Sequence, residues 1–269
     1  MNFICPICAL PLTLQERSYK CENRHCFDRA KQGYVNLLTH GGDHGDNRAM
    51  IRARRDFLWA GHYAPLAEAL CRAVEGECAK KDNVQIVDAG CGEGYYTAKV
   101  HRHLTSCGIT HEIGGIDVSR DACAYAAKAL PEGSFAVGSV YAMPFADQSA
   151  DIITSLFAPS APEEYIRILR PGGSLIVALP GIRHLYGLKE LLYDTPYENE
   201  LADFEIGGFD LTDRQSISFE LTLTNAEAEA LFAMTPYYYN TPEAGHRRLA
   251  ECDSLVTEAA FELAVYRKV

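Results

Sequence analysis

Apolar residues fall in short runs that alternate with amphipathic segments, and this pattern predicts buried strands followed by surface helices. Helices are expected at Leu66 to Val74, Tyr96 to Leu104 and Glu163 to Leu169. Five successive strands would form a parallel, doubly wound α/β sheet, and a late antiparallel pair would bring the sheet to seven strands. The predicted strands are the run from Val84 to Asp88, the run ending at Asp117, Ser134 to Val137, Ala150 to Leu156, the segment after Gly172-Gly173, Ile217 to Leu223 and Phe261 to Arg267.

A glycine-rich stretch follows the first predicted strand. In the sequence DAGCGEGYY, Gly90, Gly92 and Gly94 stand at alternate positions after Asp88. Glycine has no Cβ, so such a loop can turn sharply and its backbone N–H groups can approach a ligand closely. A strand, a glycine loop and a following helix predict a nucleotide-like ligand at this crevice. The alternative is a β-α-β unit whose glycines serve packing alone.

A second acid supports the ligand-binding interpretation. Asp117 ends the next strand, 25 residues after Gly92, where a carboxylate can accept hydrogen bonds from both ribose hydroxyls of an adenosine. The glycine spacing is Gly-x-Gly-x-Gly and differs from the spacing of pyrophosphate-binding loops. Asp88, the glycines and Asp117 together resemble the first two motifs of Rossmann-like, S-adenosylmethionine-dependent methyltransferases. The resemblance implies that the loop binds the methionine part and that Asp117 binds the ribose.

The turn after the third strand, GSVYAMPF, would lie along the adenine in this class of enzyme. Ser139 stands where an acid is common, so one adenine hydrogen bond is not expected. Val140 can still offer apolar contact and a backbone N–H. The Leu-Arg-Pro-Gly-Gly turn before the fifth strand also resembles the methyltransferase class.

The end of the fourth strand bears on the methyl acceptor. The sequence Leu156-Phe157-Ala158-Pro159 lacks the Asn/Asp-Pro-Pro-aromatic loop with which amino-group methyltransferases bind an exocyclic amine. It also lacks the cysteine nucleophile of pyrimidine C5 enzymes. A ring nitrogen stays open as the acceptor, since positioning it in line with the sulfonium methyl would provide most of the catalysis.

Composition limits the size and the compartment. The 269 residues suit one α/β domain with a small addition, and 48% of them are apolar. No apolar run approaches the roughly 20 residues of a membrane span, and the N-terminus lacks a signal-peptide pattern. We therefore expect a cytoplasmic protein with no membrane partner. Ten cysteines in that compartment favour metal ligands and free thiols over disulfides.

The net charge of −11 argues against a nucleic-acid partner, but the charge is unevenly distributed. Residues 1–56 contain nine Lys/Arg and six Asp/Glu, whereas the rest of the chain is strongly acidic. The N-terminal part is therefore the region suited to RNA, because affinity for RNA depends largely on phosphate contacts.

The first 26 residues contain a metal-binding pattern. Cys5, Cys8, Cys21 and His25 have the spacing C-x2-C-x12-C-x3-H, and Cys26 follows directly. A Cys-x-x-Cys turn presents two thiolates to one metal, and a second pair completes a tetrahedral zinc site. The spacing leaves either His25 or Cys26 as the fourth ligand, and four unrelated buried cysteines are the alternative. With four protein ligands the zinc would be structural, and its binding would contribute to the folding of so short a segment.

A loop rich in glycine, aspartate and histidine, residues 40–46, has the composition of a linker. A second metal site at His40 and His44 is a weaker interpretation of the same loop. The segment Asn47 to Leu58 predicts a helix capped by Asn47. The middle of this helix carries Arg52, Arg54 and Arg55. These arginines form either a solvated face or a patch that contacts RNA.

Five blocks in order along the chain narrow the resemblance to one family. They are the Cys5 to His25 pattern, FDRAKQGYVNLL, ARRDFLWAGHY, DAGCGEGYYT and PGIRHLYGLKELLY. From Cys5 to about Tyr193 the chain resembles RlmA-type enzymes, which methylate guanine N1 in bacterial 23S ribosomal RNA. The resemblance implies an enzyme with S-adenosylmethionine and one structural zinc ion as cofactors, and a hairpin of 23S ribosomal RNA as its partner.

The family resemblance also implies roles for individual residues. Zinc would be bound by Cys5, Cys8, Cys21 and His25, which leaves Cys26 outside the metal. Contacts to S-adenosylmethionine would come from Tyr63, Gly92, Glu93 and His184. With the motif residues above, the predicted cofactor site consists of Tyr63, Asp88, Gly90, Gly92, Glu93, Gly94, Asp117, Ser139, Val140 and His184. The zinc module and the three arginines would help to bind the RNA, and no residue stands out as the base that accepts the N1 proton.

The predicted organisation is a zinc-binding RNA-recognition module over residues 1–36, a linker and basic helix over 37–59, and a methyltransferase domain over 60–269. A homodimer would bring two basic N-terminal regions together and widen a groove for RNA. Two other functions stay open. One is a small-molecule methyltransferase with a structural zinc knuckle, which the acidic C-terminal domain suits. The other is a non-enzymatic zinc-containing RNA-binding protein, which the intact glycine loop and Asp117 disfavour.

Overall fold

The computed structural model of the protein describes residues 1–39, 47–79, 81–201 and 203–269. The predicted linker of residues 40–46, with His40 and His44, lies outside the described residues. The strands are β1 (Thr13–Gln15), β2 (Ser18–Lys20), β3 (Cys26–Asp28), β4 (Val35–Asn36), β5 (Val84–Ala89), β6 (His111–Asp117), β7 (Ser134–Val137), β8 (Ala150–Leu156), β9 (Leu169–Pro180), β10 (Phe209–Thr224) and β11 (Ser254–Lys268).

Helices cover the strands, and the first of them begins as the sequence predicts. The side chain of Asn47 accepts hydrogen bonds from two backbone N–H groups of the first turn. The helices are α1 (Arg48–Trp59), α2 (Ala64–Cys78), α3 (Tyr95–Ser106), α4 (Arg120–Ala129), α5 (Pro162–Ile168), α6 (Tyr186–Leu192), α7 (Asn225–Ala233), α8 (Tyr237–Asn240) and α9 (Glu243–Glu251). None of the helices in the described part of the chain could span a bilayer, because each is too short or too polar.

The main sheet has the strand order β10-β11-β9-β8-β5-β6-β7-β4 within the described residues. Strand β5 pairs in parallel with β6 and β8, whereas β11 runs antiparallel to both β9 and β10. The seven strands from β5 to β11 confirm the predicted doubly wound sheet and its late antiparallel pair. At the centre, the carboxyl ends of β5 and β6 meet at one edge of the sheet, which is where ligands bind in open α/β folds.

Two strands differ in extent from the sequence pattern. Strand β10 begins eight residues before the predicted Ile217, and all but the first of those residues are exposed at the edge of the sheet, so no apolar alternation marks them. The predicted turn at Gly172-Gly173 lies inside β9, which begins at Leu169. There the register of β9 against β8 shifts, so the two glycines form an irregularity within the strand.

The core has one apolar cluster on each face of the sheet. Successive residues of a strand point to opposite faces. Accordingly, Ile86 and Ile152 belong to the cluster under α2 and α3, whereas Val87 and Ile153 belong to the cluster that contains α5 and the N-terminal segment. The sheet is therefore covered on both faces, as parallel strands require.

The N-terminal segment packs directly on the main sheet. Strands β1, β2 and β3 form a separate antiparallel sheet, but β4 pairs in parallel with β7 and extends the main sheet by one strand. The N–H of Ile4 donates to the carbonyl of Pro144 at 2.9 Å, and the Phe3 and Phe145 rings lie 5.4 Å apart. The segment shares a core with the sheet, while the predicted boundaries at residues 36 and 59 stay predictions.

Candidate active site and metal centre

The glycine loop connects β5 to α3, and its three glycines, Gly90, Gly92 and Gly94, all have positive φ. Gly94 has a φ of +84°, and a Cβ added there would lie 2.7 Å from the Cα of Ala126 on α4. Only glycine therefore allows α3 and α4 to approach this closely. Gly92 has a φ of +54°, but a Cβ added there would meet no described atom within 4 Å. Its open side faces a space that a ligand can occupy.

The buried Asp88 fixes the base of this loop. One carboxylate oxygen accepts the hydroxyl of Thr97 on α3, and the other accepts the hydroxyl of Thr154 on β8 at 3.0 Å. Burial raises the pKa of Asp88 to about 6, although the two hydroxyl hydrogen bonds oppose the shift. These contacts join strand, loop and helix, and a direct contact of Asp88 with the cofactor stays a prediction.

The structure brings Asp117 to the glycine loop, as the sequence predicts. Its carboxylate accepts the N–H of Gly92 at 3.1 Å and the N–H of Ser119 at 2.8 Å. These two backbone donors hold the carboxylate beside the glycine loop. In the neighbouring turn, the hydroxyl of Ser139 accepts the N–H of Tyr141, and the side chain of Val140 is buried.

Glu93 is a buried acid within the loop. Burial raises its pKa to about 7, while backbone hydrogen bonds and the positive charge of Arg54 lower it. Arg54 also donates from its guanidinium to the carbonyl of Met234 at 3.3 Å. The arginine therefore lies between the loop and the segment after α7.

Three of the four arginines of α1, namely Arg52, Arg54 and Arg55, have different surroundings. Arg52 is exposed and pairs loosely with Asp56 on the next turn. Arg55 lies over the ring of Tyr125, with its guanidinium carbon 5.1 Å from the ring centroid. Arg54 points to the loop. Arg52 and Arg55 are exposed and three positions apart, so they lie on one face of the helix, whereas the partly buried Arg54 does not share that face.

An aromatic cluster around Phe261 is linked to the glycine loop, because Phe157, which contacts Phe261, precedes the Ala158 that packs on Gly90. The rings of Tyr63 and His184 lie 4.9 and 4.6 Å from the ring of Phe261 on β11. The Oη of Tyr63 and the Nδ1 of His184 are buried and have no hydrogen-bond partner among the described residues. Burial lowers the pKa of His184 to about 4 and raises that of Tyr63, so both groups are neutral near pH 7. Unpaired buried polar atoms are costly, and these two point to a polar ligand.

Four side chains of the N-terminal segment form a metal-type cluster. The ligand atoms of Cys5, Cys8, Cys21 and His25 all lie within 4.8 Å of one another. The Nδ1 of His25 is 3.4 Å from the Sγ of Cys5 and of Cys21, and the Sγ atoms of Cys8 and Cys21 are 3.7 Å apart. Cys26 begins β3 and is exposed, outside the cluster.

Comparison with known proteins covers both parts of the chain. Residues 3–39 match the family described as "RlmA, N-terminal", and residues 86–173 match the family described as "Methyltransferase domain". A 23S rRNA (guanine(748)-N(1))-methyltransferase of Streptomyces fradiae is 35% identical over 92% of this chain and 89% of that protein. A candidate 23S rRNA (guanine-N1) methyltransferase of Micromonospora griseorubida is 36% identical over 98% of this chain and 97% of that protein. The chain belongs to the RlmA-type methyltransferase family.

Zinc fits the N-terminal cluster of this RlmA-type protein. Tetrahedral zinc has Zn–S and Zn–N distances of about 2.3 and 2.0 Å, which place two sulfur ligands about 3.8 Å apart and sulfur and nitrogen ligands about 3.5 Å apart. The observed separations of 3.7 and 3.4 Å match both values. The donor set of three thiols and one imidazole therefore suits a structural zinc ion.

S-adenosylmethionine, the methyl donor of this enzyme class, also fits the crevice of the RlmA-type protein. The open side of Gly92 lies beside the carboxylate of Asp117, and Tyr63 and His184 offer unpaired buried polar atoms. Thr97, Thr154 and Phe261 were not predicted to belong to this region. No sequence signal distinguishes them, because threonine and phenylalanine in a strand or helix are ordinary core residues.

Proposed function

We propose that this methyltransferase transfers the methyl group of S-adenosylmethionine to N1 of a guanine in a hairpin of 23S ribosomal RNA. The similarity to the Streptomyces fradiae enzyme, which extends over 92% of the chain, carries the proposal, together with the match of residues 3–39 to the RlmA N-terminal family. A small-molecule methyltransferase would not need the N-terminal cluster, which here belongs to a segment whose strand β4 extends the main sheet.

The residues of the crevice would bind and orient the cofactor, which supplies an electrophilic methyl group on its sulfonium. We assign Asp117 to the ribose hydroxyls, because its carboxylate is fixed beside Gly92 by two backbone donors. The neutral His184 and Tyr63 would each complete a missing hydrogen bond on the cofactor. With the cofactor fixed, positioning of the guanine nitrogen in line with the methyl group would provide much of the rate.

The N-terminal module and α1 would bind the RNA. In this assignment Cys5, Cys8, Cys21 and His25 hold zinc and so shape the module, and Arg52 contacts phosphate from the exposed side of α1. The affinity for RNA should then fall as salt rises. A plot of the logarithm of the binding constant against the logarithm of the salt concentration should have a slope of about −1 for each phosphate contact. A homodimer remains part of the proposal from the sequence, and light scattering of the purified protein would test it.

The test uses the purified full-length protein with labelled S-adenosylmethionine. It is incubated in parallel with 23S ribosomal RNA that carries no methyl groups and with an extract of small molecules, and the RNA product is mapped by mass. We expect label at N1 of one guanine in a hairpin, and loss of label with Asp117→Ala. The matched control Cys26→Ser, which changes an exposed thiol outside the cluster, should keep the activity. Label in small molecules alone would refute the proposal.

A further inference from the structure

Phe157 combines backbone strain with exposure at the carboxyl end of β8. All seven residues of β8 are buried, but the next residue, Phe157, is 46% exposed. Its φ of +55° lies in the left-handed region, which is costly for any residue other than glycine and rare for bulky ones. The apolar core does not require this conformation, because the ring that it orients is half in solvent. Strain of this kind is retained mainly at functional sites.

The backbone on both sides of Phe157 is fixed. Its own N–H donates to the carbonyl of Ala178 at 3.2 Å, and the hydroxyl of the buried Tyr165 donates to the carbonyl of Pro159 at 3.2 Å. The intervening Ala158 packs so closely on the glycine loop that a Cβ on Gly90 would lie 2.5 Å from its own Cβ. The backbone that carries the Phe157 ring is therefore fixed, next to the residue that packs on the glycine loop.

The ring also continues the aromatic cluster. Its centroid lies 5.7 Å from that of Phe261, the ring that Tyr63 and His184 contact from other directions. Phe157 is thus the exposed member of this cluster, whereas Tyr63, His184 and Phe261 are buried. A flat molecule stacked on its exposed side would lie close to the cofactor crevice.

We propose that Phe157 is the platform on which the target guanine stacks. The inference rests on the proposed function, and it adds how the acceptor base is held. An enzyme that modifies a base must remove it from the RNA stack, and an aromatic side chain can replace the lost stacking partner. A ring on a fixed backbone near the glycine loop would replace that partner and at the same time orient the plane of the base toward the methyl donor.

The experiment compares three substitutions of one ring with a distant control. Phe157→Ala removes the ring, Phe157→Leu keeps an apolar side chain without a flat face, and Phe157→Trp keeps a stacking surface. The control Leu211→Ala removes an equally exposed apolar side chain on β10, the strand at one edge of the main sheet. Each variant is assayed for methyl transfer to 23S ribosomal RNA, for S-adenosylmethionine affinity and for thermal stability.

We expect the Ala and Leu variants to lose about ten- to hundredfold in kcat/KM for RNA, the range expected for loss of one base–aromatic stack. Their affinity for S-adenosylmethionine should stay within a few-fold of that of the wild type, and the Trp variant and Leu211→Ala should remain active. A direct readout uses an RNA hairpin with 2-aminopurine at the mapped guanine position. Its fluorescence should be quenched in the wild-type complex and restored with Phe157→Ala.

Two results would overturn the stacking proposal while leaving the proposed function intact. If the wild type methylates ribosomal RNA and Phe157→Ala does so equally well, the ring has no part in binding the base. If Phe157→Leu retains full activity and quenching while Phe157→Ala does not, the ring serves apolar packing and not stacking. A wild type that never labels ribosomal RNA would instead refute the proposed function, and this inference with it.

Discussion

Two of the three glycines of the loop, Gly92 and Gly94, allow its proposed binding role to be separated from its packing role. Gly92→Ala and Gly94→Ala make the same chemical change two residues apart, and both place an alanine in the left-handed region. The backbone penalty for that is about 1–2 kcal/mol at each position. The surroundings differ, because the new Cβ at position 92 would enter open space and that at position 94 would press on the backbone of Ala126.

Because of these differences, we expect Gly94→Ala to be the more harmful variant for stability and Gly92→Ala the more harmful one for S-adenosylmethionine binding. Gly92→Ala should lower the free energy of unfolding by about 1–2 kcal/mol. Gly94→Ala should lower it by about 2–5 kcal/mol, since overpacking adds roughly 1–3 kcal/mol. For S-adenosylmethionine the order reverses. The Cβ at position 92 occupies the space assigned to the cofactor, so we expect Gly92→Ala to weaken binding by more than tenfold, and by more than Gly94→Ala does.

Urea unfolding and titration calorimetry measure the two quantities on the same protein preparations. If Gly92→Ala binds S-adenosylmethionine as tightly as the wild type, the open side of Gly92 does not face the cofactor. If Gly94→Ala costs no more stability than Gly92→Ala, the close approach of α3 and α4 does not limit the residue at position 94. Either outcome would show that the loop geometry has been misinterpreted.

Three further predictions concern single groups. Purified protein should contain about one zinc per chain by mass spectrometry. The His25→Ala variant should lose the zinc and the Cys26→Ser variant should keep it. The reverse pattern would overturn the ligand assignment. Asp117→Ala should weaken S-adenosylmethionine binding about ten- to hundredfold by calorimetry, and unchanged affinity would remove Asp117 from the ribose site. Burial raises the pKa of Glu93 from 4.5 to about 7, so the folded protein holds a proton that the unfolded chain has released. The contribution of Glu93 to the free energy of unfolding should therefore be lost as pH rises from about 4.5 to 7, and Glu93→Gln should flatten that decline in urea titrations.

The parts of the fold that the sequence predicted share a local signal. Strand β8 is buried along its whole length, so its continuous apolar run identifies it, and Asn47 is recognisable as a helix cap from its own position. Strand β4 has two residues and pairs with β7 about a hundred residues later, so no local pattern could reveal it. The exposed first half of β10 was missed for the same reason.

The sequence predicted those parts of the candidate site in which a residue type has a recognisable role, such as glycine in a tight loop or an acid at the end of a strand. The glycine loop and Asp117 are adjacent in the structure as their spacing suggested. Arg54 could not be separated from Arg52 by sequence, because its orientation depends on contact with the segment after α7. Spacing alone left His25 and Cys26 equivalent as ligands. The structure distinguishes them, because Cys26 is the first residue of β3 and its side chain is exposed, outside the cluster that contains His25.

The pairing of β4 with β7 has a consequence for the folding of the newly synthesised chain. Without β4, the outer edge of β7 would offer unpaired backbone groups to any other strand, a known route to aggregation. The N-terminal segment is synthesised first, but its strand has no partner until β7 leaves the ribosome. We therefore expect that a cell short of zinc would lose this protein to aggregates, since the segment that its metal stabilises also protects the edge of the catalytic sheet.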